Sequence, residues 1–145
     1  MMNVSVGVGV FIMRKNTILL MRRQGSHGAG TWAIPGGSIE YGETLSEAAI
    51  RECKEEIGIT LNKNQLRVGP VTNDIFEHKH FVGVYLSAYL IDEQEPTIME
   101  PHKCDQLGWY TFENLPEPLF LPLKLFLKQS IRPHFTQIDI DPKDL

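Results

Sequence analysis

Apolar and polar side chains alternate along the first part of the chain with the period of a β-strand. In residues 4–13, every even position carries valine or isoleucine, whereas the odd positions include Gly7 and Gly9. This alternation predicts a strand with one continuous apolar face. Glycine is a poor strand former, so we expect a close neighbour on the face that carries Gly7 and Gly9.

The rest of the chain alternates between strand-like and helix-like patterns. From Thr44, apolar residues recur at helical spacing until Gly58, a typical C-terminal stop, and Thr44 with Glu47 forms a capping-box pattern. The other predicted elements are strands at 17–21, 31–34, 66–72, 80–91 and 109–112 and a helix at 123–131. The nearly continuous apolar character of residues 80–91 is typical of a central strand. Strands interrupted by two helices predict an α/β sandwich with helices packed on a mixed sheet.

The composition is that of an ordinary globular protein. The chain has 145 residues, of which 42% are apolar and 22% are charged, and its formal net charge is −4. We therefore predict a single domain over residues 1–145. The negative charge gives no overall attraction to nucleic-acid polymers or anionic membranes. Only two cysteines, no signal-like N-terminus and short apolar runs predict a cytoplasmic protein without a membrane segment.

Three acidic residues share one stripe of the predicted helix. Glu52, Glu55 and Glu56 are neighbours at i, i+3 and i+4, a spacing at which like charges destabilise a helix by roughly 0.2–0.5 kcal/mol per pair. Two interpretations follow. The stripe is a solvated charged face, or it is a site for Mg²⁺ or Mn²⁺, because such cations prefer carboxylate oxygens. The upstream Gly36 and Gly37 favour the second interpretation, since glycine lets the backbone approach an ion closely.

These residues form a pattern that resembles the Nudix box. Gly37 is followed after five residues by Glu43, and after seven more by the segment Arg51-Glu52-Cys53-Lys54-Glu55-Glu56-Ile57-Gly58. Every charged and glycine position of the box is filled. Cys53 departs from the aliphatic residue that is usual there, but it is also small and apolar. The resemblance implies a Nudix-type α/β/α sandwich with a mixed β-sheet, and hydrolysis of a nucleoside diphosphate linked to another group.

The resemblance also implies roles for individual residues. Glu52, Glu55 and Glu56 are similar to the metal ligands of the family, with the carbonyl of Gly36 as a further ligand. The implied cofactor is Mg²⁺, with Mn²⁺ as a substitute. Glu52 is also similar to the residue proposed to activate water. That role stays open, because the catalytic base differs among members of the family.

The residues around the box support this implied site. Glu43 and Arg51 resemble an ion pair that fixes the loop to the helix. Glu100, in a later loop, is a second candidate for the base or for a ligand; the alternative is a solvent-exposed acid. Arg23, at the end of the second strand, is expected to contact a phosphate or a base edge, with an exposed strand end as the alternative.

Longer segments resemble a subgroup that contains the second human MutT homologue and a plant cytosolic Nudix hydrolase. These are residues 28–44, 100–105 and 118–123. The resemblance implies cleavage of (deoxy)nucleoside triphosphates, oxidised purine nucleotides such as 8-oxo-dGTP among them, to monophosphate and pyrophosphate. It also implies a homodimer. Phe120 and Leu121 then line a base pocket, with Gly37 beside the substrate; the alternative for the first two is ordinary helix core.

Two other functions remain open at this point. The chain could hydrolyse a different nucleoside-diphosphate compound, such as dihydroneopterin triphosphate, NADH or ADP-ribose. It could also be a non-catalytic Nudix module that senses a nucleotide. Such modules commonly lack box glutamates, whereas all of them are present here.

Overall fold

A computed structural model describes residues 2–25, 27–129 and 136–137 of the chain. In this part of the chain, two helices and a short 3-10 helix at Lys63–Gln65 interrupt a series of strands. The helices are α1 (Leu45–Ile57) and α2 (Leu121–Gln129). The strands are β1 (Val4–Arg14), β2 (Thr17–Arg23), β3 (Trp32–Ala33), β4 (Gly36–Ser38), β5 (Arg67–Ile75), β6 (His80–Tyr89), β7 (Cys104–Thr111) and β8 (Thr136–Gln137). No helix in the described residues is long and apolar enough to cross a membrane.

The strands form one mixed sheet in the order β3-β2-β1-β6-β5-β8. Only β1 and β6 are parallel among the described pairs; the others are antiparallel. β1 and β2 pair only beside the turn that joins them, at Met13 and Arg14. Beyond that point they separate, and β4 pairs with the edge of β1 that this leaves free, while β7 pairs with β2. This separation of β1 and β2 gives the sheet an open seam in which β4 lies.

Each face of the sheet is covered by one helix. On one face, Val10 and Ile12 of β1 pack with Ala49, Cys53 and Ile57 of α1. On the opposite face, a second cluster joins Phe11 and Tyr85 to Leu123 and Phe126 of α2. The predicted α/β/α sandwich with a mixed sheet is therefore confirmed. The odd–even alternation of β1 decides which helix each side chain meets.

The ends of α1 match their sequence signals. The Thr44 hydroxyl accepts a hydrogen bond from the Glu47 N–H at 3.1 Å, and Gly58 adopts a left-handed conformation with φ of 68°. Glycine tolerates this φ without the steric cost that a Cβ would impose. Cys53 is fully buried in the core, so it fills the aliphatic position of the box as a small apolar residue.

Some predicted boundaries were wrong. β7 begins at Cys104 rather than at residue 109, because Asp105 and Gln106 face solvent and their polarity hid the strand. The short strand β4, which begins at Gly36, was not predicted, because its geometry comes from backbone pairing with β1. A Cβ at Gly36 would lie 2.1 Å from the Val8 carbonyl oxygen, so this pairing requires glycine. α2 begins two residues earlier than predicted, and positions 130 and 131 of that prediction lie outside the described residues.

The close neighbour expected for the glycine face of β1 is present. A Cβ at Gly9 would lie 2.9 Å from Cδ1 of Ile34 and 3.2 Å from the Tyr85 ring. Residues 80–91 were predicted as a central strand, and β6 is indeed hydrogen-bonded on both sides, to β1 and to β5. The strand ends at Tyr89, before the chain turns towards α1.

Candidate active site

Arg51 organises the acidic side of α1. Its guanidinium makes a two-pronged ion pair with Glu43, with Nε donating to Oε2 at 2.7 Å and Nη2 donating to Oε1 at 2.9 Å. Nη1 also donates to Oε1 of Glu52 at 2.9 Å, and Nη2 donates to the Ser38 carbonyl at 3.0 Å. The planar guanidinium therefore ties the loop before α1, strand β4 and a glutamate of α1 into one unit.

The glycine pair of β4 accommodates two glutamates of α1. A Cβ at Gly37 would lie 2.3 Å from Oε1 of Glu52, so a larger residue here would displace that carboxylate. The Gly36 N–H donates to Oε2 of Glu56 at 3.2 Å. The Glu52 and Glu56 side chains are also hydrogen-bonded to each other. Backbone and carboxylate groups thus meet at the seam between β1 and β2.

Glu56 is held in an environment that favours its protonated form. Burial, followed by the nearby Glu52 carboxylate, raises the pKa of Glu56 to about 8, and the charge of Glu100 adds to this effect. Arg51 acts in the opposite sense on Glu43, where its hydrogen bonds lower the pKa of the carboxyl to about 2. The same helix therefore carries one acid that holds a proton at neutral pH, beside a loop acid that is fully ionised.

Glu55 stands apart from this pair. Its side chain is 52% exposed, and Oε2 lies 3.4 Å from Nη1 of Arg51. Accordingly, in the residues that the structure describes, no three His, Cys, Asp or Glu side chains are gathered around one point as metal ligands would be. Attraction to Arg51 explains the position of Glu55, since that guanidinium lies one helical turn before it.

The donor groups at this seam fit a hard divalent cation. They are carboxylate oxygens, which Mg²⁺ and Mn²⁺ prefer over nitrogen or sulfur ligands. The absence of a side chain at Gly37 leaves space in which the Glu52 carboxylate lies against β4. The pKa of Glu56, which burial and the nearby Glu52 carboxylate raise to about 8, reflects crowded negative charge that a cation would neutralise.

Glu100 reaches the same place from a distant loop. The Thr97 N–H donates to the Ile57 carbonyl at 2.9 Å, and the Met99 N–H donates to the Glu56 carbonyl at 3.2 Å. These bonds dock the loop on the last turn of α1 and bring Glu100 beside Glu56. Glu100 also lies 3.6 Å from Nζ of Lys103. The structure thus brings Glu100 together with the box glutamates.

The seam opens into a cleft with two arms. The acidic arm, of about 560 Å³, is lined by Glu52, Glu56, Glu100 and neighbouring residues. The aromatic arm, of about 240 Å³, is lined by Phe76, Phe81, Tyr85 and Phe120 together with Asp74 and small residues. A strip common to both arms consists of Arg23, His27, Ala33, Ile34, Gly36, Gly37 and Ser38. The two arms therefore form one continuous groove.

Arg23 and Phe120 meet where the arms join. The guanidinium carbon of Arg23 lies 4.2 Å from the centre of the Phe120 ring, and Nε donates to the His27 carbonyl at 3.0 Å. The His27 ring is edge-on to Phe120, with ring centres 5.6 Å apart. Burial lowers the pKa of Arg23, while the charge of Glu56 opposes that change. A positive group is thus positioned between the acidic and the aromatic arm.

The remaining predicted substrate residues differ in position. Gly37 and Phe120 line the cleft, but Leu121 does not line either arm, and it is 49% exposed. Leu121 opens α2 and turns to solvent, because the next position of the helix that packs inward is Leu123. Leu121 therefore does not contact the cleft, and the prediction that it lines a base pocket was wrong.

Sequence reasoning missed most of the aromatic arm. It did not single out Asp74, Phe76, Phe81, Gly83 or Tyr85, all of which line this arm. A signal was present on β6, where Phe81, Gly83 and Tyr85 alternate with aliphatic residues. A glycine between two aromatic residues on one strand face indicates space for a ligand.

Comparison with known proteins agrees with this geometry. The NUDIX domain model of a protein family matches residues 4–132. The crystal structure of a MutT NUDIX hydrolase from Burkholderia pseudomallei superimposes with a TM-score of 0.80 at 32% identity, covering 88% of this chain and 98% of that one. The residues matched by the family model include the box, the seam and both arms of the cleft.

Three characterised relatives carry different names. The ADP-ribose pyrophosphatase of Methanocaldococcus jannaschii is 43% identical over 116 residues, which are 80% of this chain and 67% of that protein. The 8-oxo-dGTP diphosphatase of Proteus vulgaris is 33% identical over 104 residues, covering 71% of this chain and 88% of that protein. Nudix hydrolase 6 of Arabidopsis thaliana is 32% identical over 104 residues, which are 69% of this chain but only 35% of that protein. The relatives are mixed and do not select one subgroup, but together with the family model they show that the chain belongs to the Nudix family of hydrolases.

Proposed function

We propose that this Nudix hydrolase is a Mg²⁺-dependent pyrophosphohydrolase of (deoxy)nucleoside triphosphates, oxidised purine nucleotides among them. Its products would be a nucleoside monophosphate and pyrophosphate. The observation that carries the proposal is the continuity of the cleft, in which the strip from Arg23 to Ser38 joins the acidic arm to the aromatic arm. A nucleotide also has two unlike ends, a polyanionic phosphate chain and a planar base, joined by a sugar. The phosphate chain suits the acidic arm with a bound cation, and the base suits the aromatic arm.

The acidic arm supplies the groups that would hold the cation and the phosphates. Glu52 and Glu56 are the primary ligands in this proposal, joined by Glu55 after rotation of its exposed side chain and by the backbone of Gly36. When bound, Mg²⁺ or Mn²⁺ neutralises phosphate charge and lowers the pKa of a water molecule that attacks phosphorus. Arg51 fixes the position of Glu52 through its 2.9 Å hydrogen bond. We leave the proton acceptor open between Glu52 and Glu100, both of which line the acidic arm.

The common strip and the aromatic arm would bind the rest of the substrate. Arg23 is near enough to the acidic arm to contact a phosphate oxygen, with which a guanidinium makes strong charge-assisted hydrogen bonds. Phe120 and the other rings of the aromatic arm offer stacking surfaces for a base. In this proposal, catalysis is mostly positioning and charge stabilisation, as is general for transfer at phosphorus.

ADP-ribose is the second candidate substrate. It is favoured by the 43% identity to the ADP-ribose pyrophosphatase of Methanocaldococcus jannaschii. ADP-ribose contains the same nucleoside diphosphate unit, so the acidic arm would act on it in the same way. The two candidates differ only in what lies beyond the second phosphate.

A substrate panel tests both candidates. Purified protein with Mg²⁺ or Mn²⁺ is incubated with dGTP, 8-oxo-dGTP, dCTP, dihydroneopterin triphosphate, NADH and ADP-ribose, and the products are separated by chromatography. We expect pyrophosphate and monophosphate from a nucleoside triphosphate as the fastest reaction. Faster release of AMP from ADP-ribose would favour the second candidate. Tight binding without turnover would indicate a sensing module, and a lack of both would refute the proposal.

A further inference from the structure

The floor of the aromatic arm is formed by the neighbouring strands β1 and β6. β1 and β6 run parallel with Gly7 beside Gly83, and Phe81 and Tyr85 stand on either side of Gly83 along β6. Neither glycine carries a side chain, so neither adds a Cβ to the lining of this arm, and a Cβ at Gly83 would meet the Thr72 hydroxyl at 2.8 Å. A planar base that stacks on the two rings would have one edge towards β5, the strand next to β6.

Asp74 is placed at that edge. It lies on β5 opposite Phe81, is half-buried, and is the one carboxylate in the described lining of the aromatic arm. The Thr72 hydroxyl donates to its Oδ2 at 3.1 Å. A Cβ at Gly83 would lie 2.8 Å from the Thr72 hydroxyl and 3.3 Å from Oδ2 of Asp74. Gly83 therefore leaves a recess that Thr72 and Asp74 occupy, and this recess fixes the carboxylate at the pocket edge.

The chemistry of a carboxylate selects among bases. An ionised carboxylate only accepts hydrogen bonds, at about four lone-pair sites, and Thr72 uses one of them. Guanine presents two adjacent donors, the ring N1–H and the 2-amino group. Adenine and cytosine present an amino group beside a bare ring nitrogen, which repels a carboxylate. Hypoxanthine keeps the ring N–H but lacks the 2-amino group.

We propose that Asp74 is a specificity-determining residue that accepts hydrogen bonds from the N1–H and 2-amino groups of a guanine-type base. This assignment rests on the proposed function, because it takes the aromatic arm as the base site. Asp74 takes no part in the cleavage step, which the acidic arm carries. The substrate class becomes guanine nucleotides and their derivatives that keep both donors.

Binding of nucleoside monophosphates without metal tests this assignment directly. The affinities of dGMP, dIMP and dAMP are measured by titration calorimetry in EDTA buffer for the wild type, Asp74→Asn and Glu77→Gln. Asparagine keeps the size of Asp74 and an oxygen for the Thr72 hydroxyl, but it turns an N–H₂ group towards the base donors. Glu77, on an adjacent turn, is 89% exposed and serves as the matched loss of charge.

The wild type should bind dGMP at least about fivefold more tightly than dIMP, and more tightly still than dAMP. In Asp74→Asn the dGMP-to-dIMP ratio should fall to about one, while Glu77→Gln keeps the wild-type ratio. A melting temperature within a few degrees of wild type shows that the asparagine variant is folded. An unchanged ratio in Asp74→Asn, an absence of guanine preference in the wild type, or an absence of dGMP binding would each overturn the assignment.

This test is separate from that of the proposed function. Monophosphate binding in EDTA needs neither a cation nor turnover, so loss of the guanine preference leaves pyrophosphate release from triphosphates standing. Conversely, a protein that hydrolyses no triphosphate but binds dGMP through Asp74 would refute the proposed reaction and keep the base assignment.

Discussion

The two arms of the cleft are built in opposite ways. In the acidic arm, Glu52 and Glu56 are held by charged and backbone partners, and Arg51 connects Glu52 to the loop before the helix. In the aromatic arm, rings surround a glycine floor, and the polar groups are few. The first arrangement fixes charges at the place where a phosphate chain would react. The second forms an aromatic-lined space that suits a planar group. In the proposed function, reaction and recognition therefore take place in separate parts of one groove.

This division makes a kinetic prediction of its own. Changes in the acidic arm remove interactions that matter most in the transition state, so they should lower kcat. Changes in the aromatic arm remove interactions that substrate and transition state share, so they should raise KM. The variants below test this separation in order of decreasing effect.

The largest effect is expected for Glu56→Gln. Glutamine keeps the shape of Glu56 and can accept the hydrogen bond from the Gly36 N–H, but it cannot neutralise a cation. We expect kcat to fall by at least about 10²-fold, since one charge at the reacting centre is lost. Steady-state kinetics at saturating Mg²⁺ measure this change.

The fold of this variant should survive, for an electrostatic reason. In the protein without a cation, the pKa of Glu56 is raised to about 8, so its carboxyl is protonated at neutral pH and glutamine resembles that neutral form. A melting temperature at or above that of the wild type at pH 8 is expected. Glu113→Gln, an exposed acid outside the cleft, is the matched control. Wild-type turnover in Glu56→Gln would remove Glu56 from the proposed metal site.

Arg51→Lys should have the next largest effect. Lysine keeps the charge but not the planar fork that holds Glu43 and Glu52 together. Loss of such a positioning partner typically costs about 10–100-fold in metal affinity or activity. We expect the Mg²⁺ concentration for half-maximal activity to rise by that order, while the KM for the nucleotide at saturating Mg²⁺ changes less. Equal changes in both quantities would show that Arg51 acts on the substrate instead.

The acidic arm could be predicted from the sequence because its geometry is local. Arg51, Glu52 and Glu56 lie in one helix, where helical periodicity converts spacing into position, and the strand that carries Gly36 and Gly37 comes just before that helix in the chain. The exact place of Glu55 could not be predicted in this way. Helical spacing puts Glu55 within reach both of Arg51 and of the other glutamates, and its side chain lies towards Arg51, so spacing alone does not fix its orientation.

The aromatic arm could not be predicted, because it depends on strand register. A register shift in β5 between Val68 and Val71 decides that Asp74 faces the same side as Gly83. A slip of one residue would turn Asp74 to the opposite side of the sheet. Nothing in the local sequence fixes that shift, so Asp74 was not recognised as a site residue. Phe120, by contrast, was singled out only through its resemblance to a family segment.

Phe120→Leu tests the aromatic arm with a smaller effect. Leucine keeps apolar bulk but removes the ring on which Arg23 lies and the stacking surface at the junction of the arms. We expect KM for a nucleoside triphosphate to rise by about tenfold, with kcat within about twofold of wild type. Leu125→Ala, at a partly exposed position of α2 outside the cleft, is the control. A fall in kcat without a change in KM would contradict the separation of the two arms.

The smallest effect concerns stability in acid and tests the charge network that supports the acidic arm. Hydrogen bonds from Arg51 lower the pKa of Glu43 to about 2, so the folded protein binds fewer protons at Glu43 than the unfolded chain does. The contribution of Glu43 to stability is therefore complete above the unfolded pKa of about 4.3 and is lost as the pH falls towards 2.

In Glu43→Gln, the free energy of unfolding should be lower than in the wild type at pH 7, and the difference should shrink between pH 5 and pH 2.5. Urea unfolding across this range, with Glu113→Gln as control, measures it. A difference that stays constant with pH would mean that Glu43 supports the loop by packing rather than by its charge, and the acidic arm would then be less dependent on Arg51 than its geometry indicates.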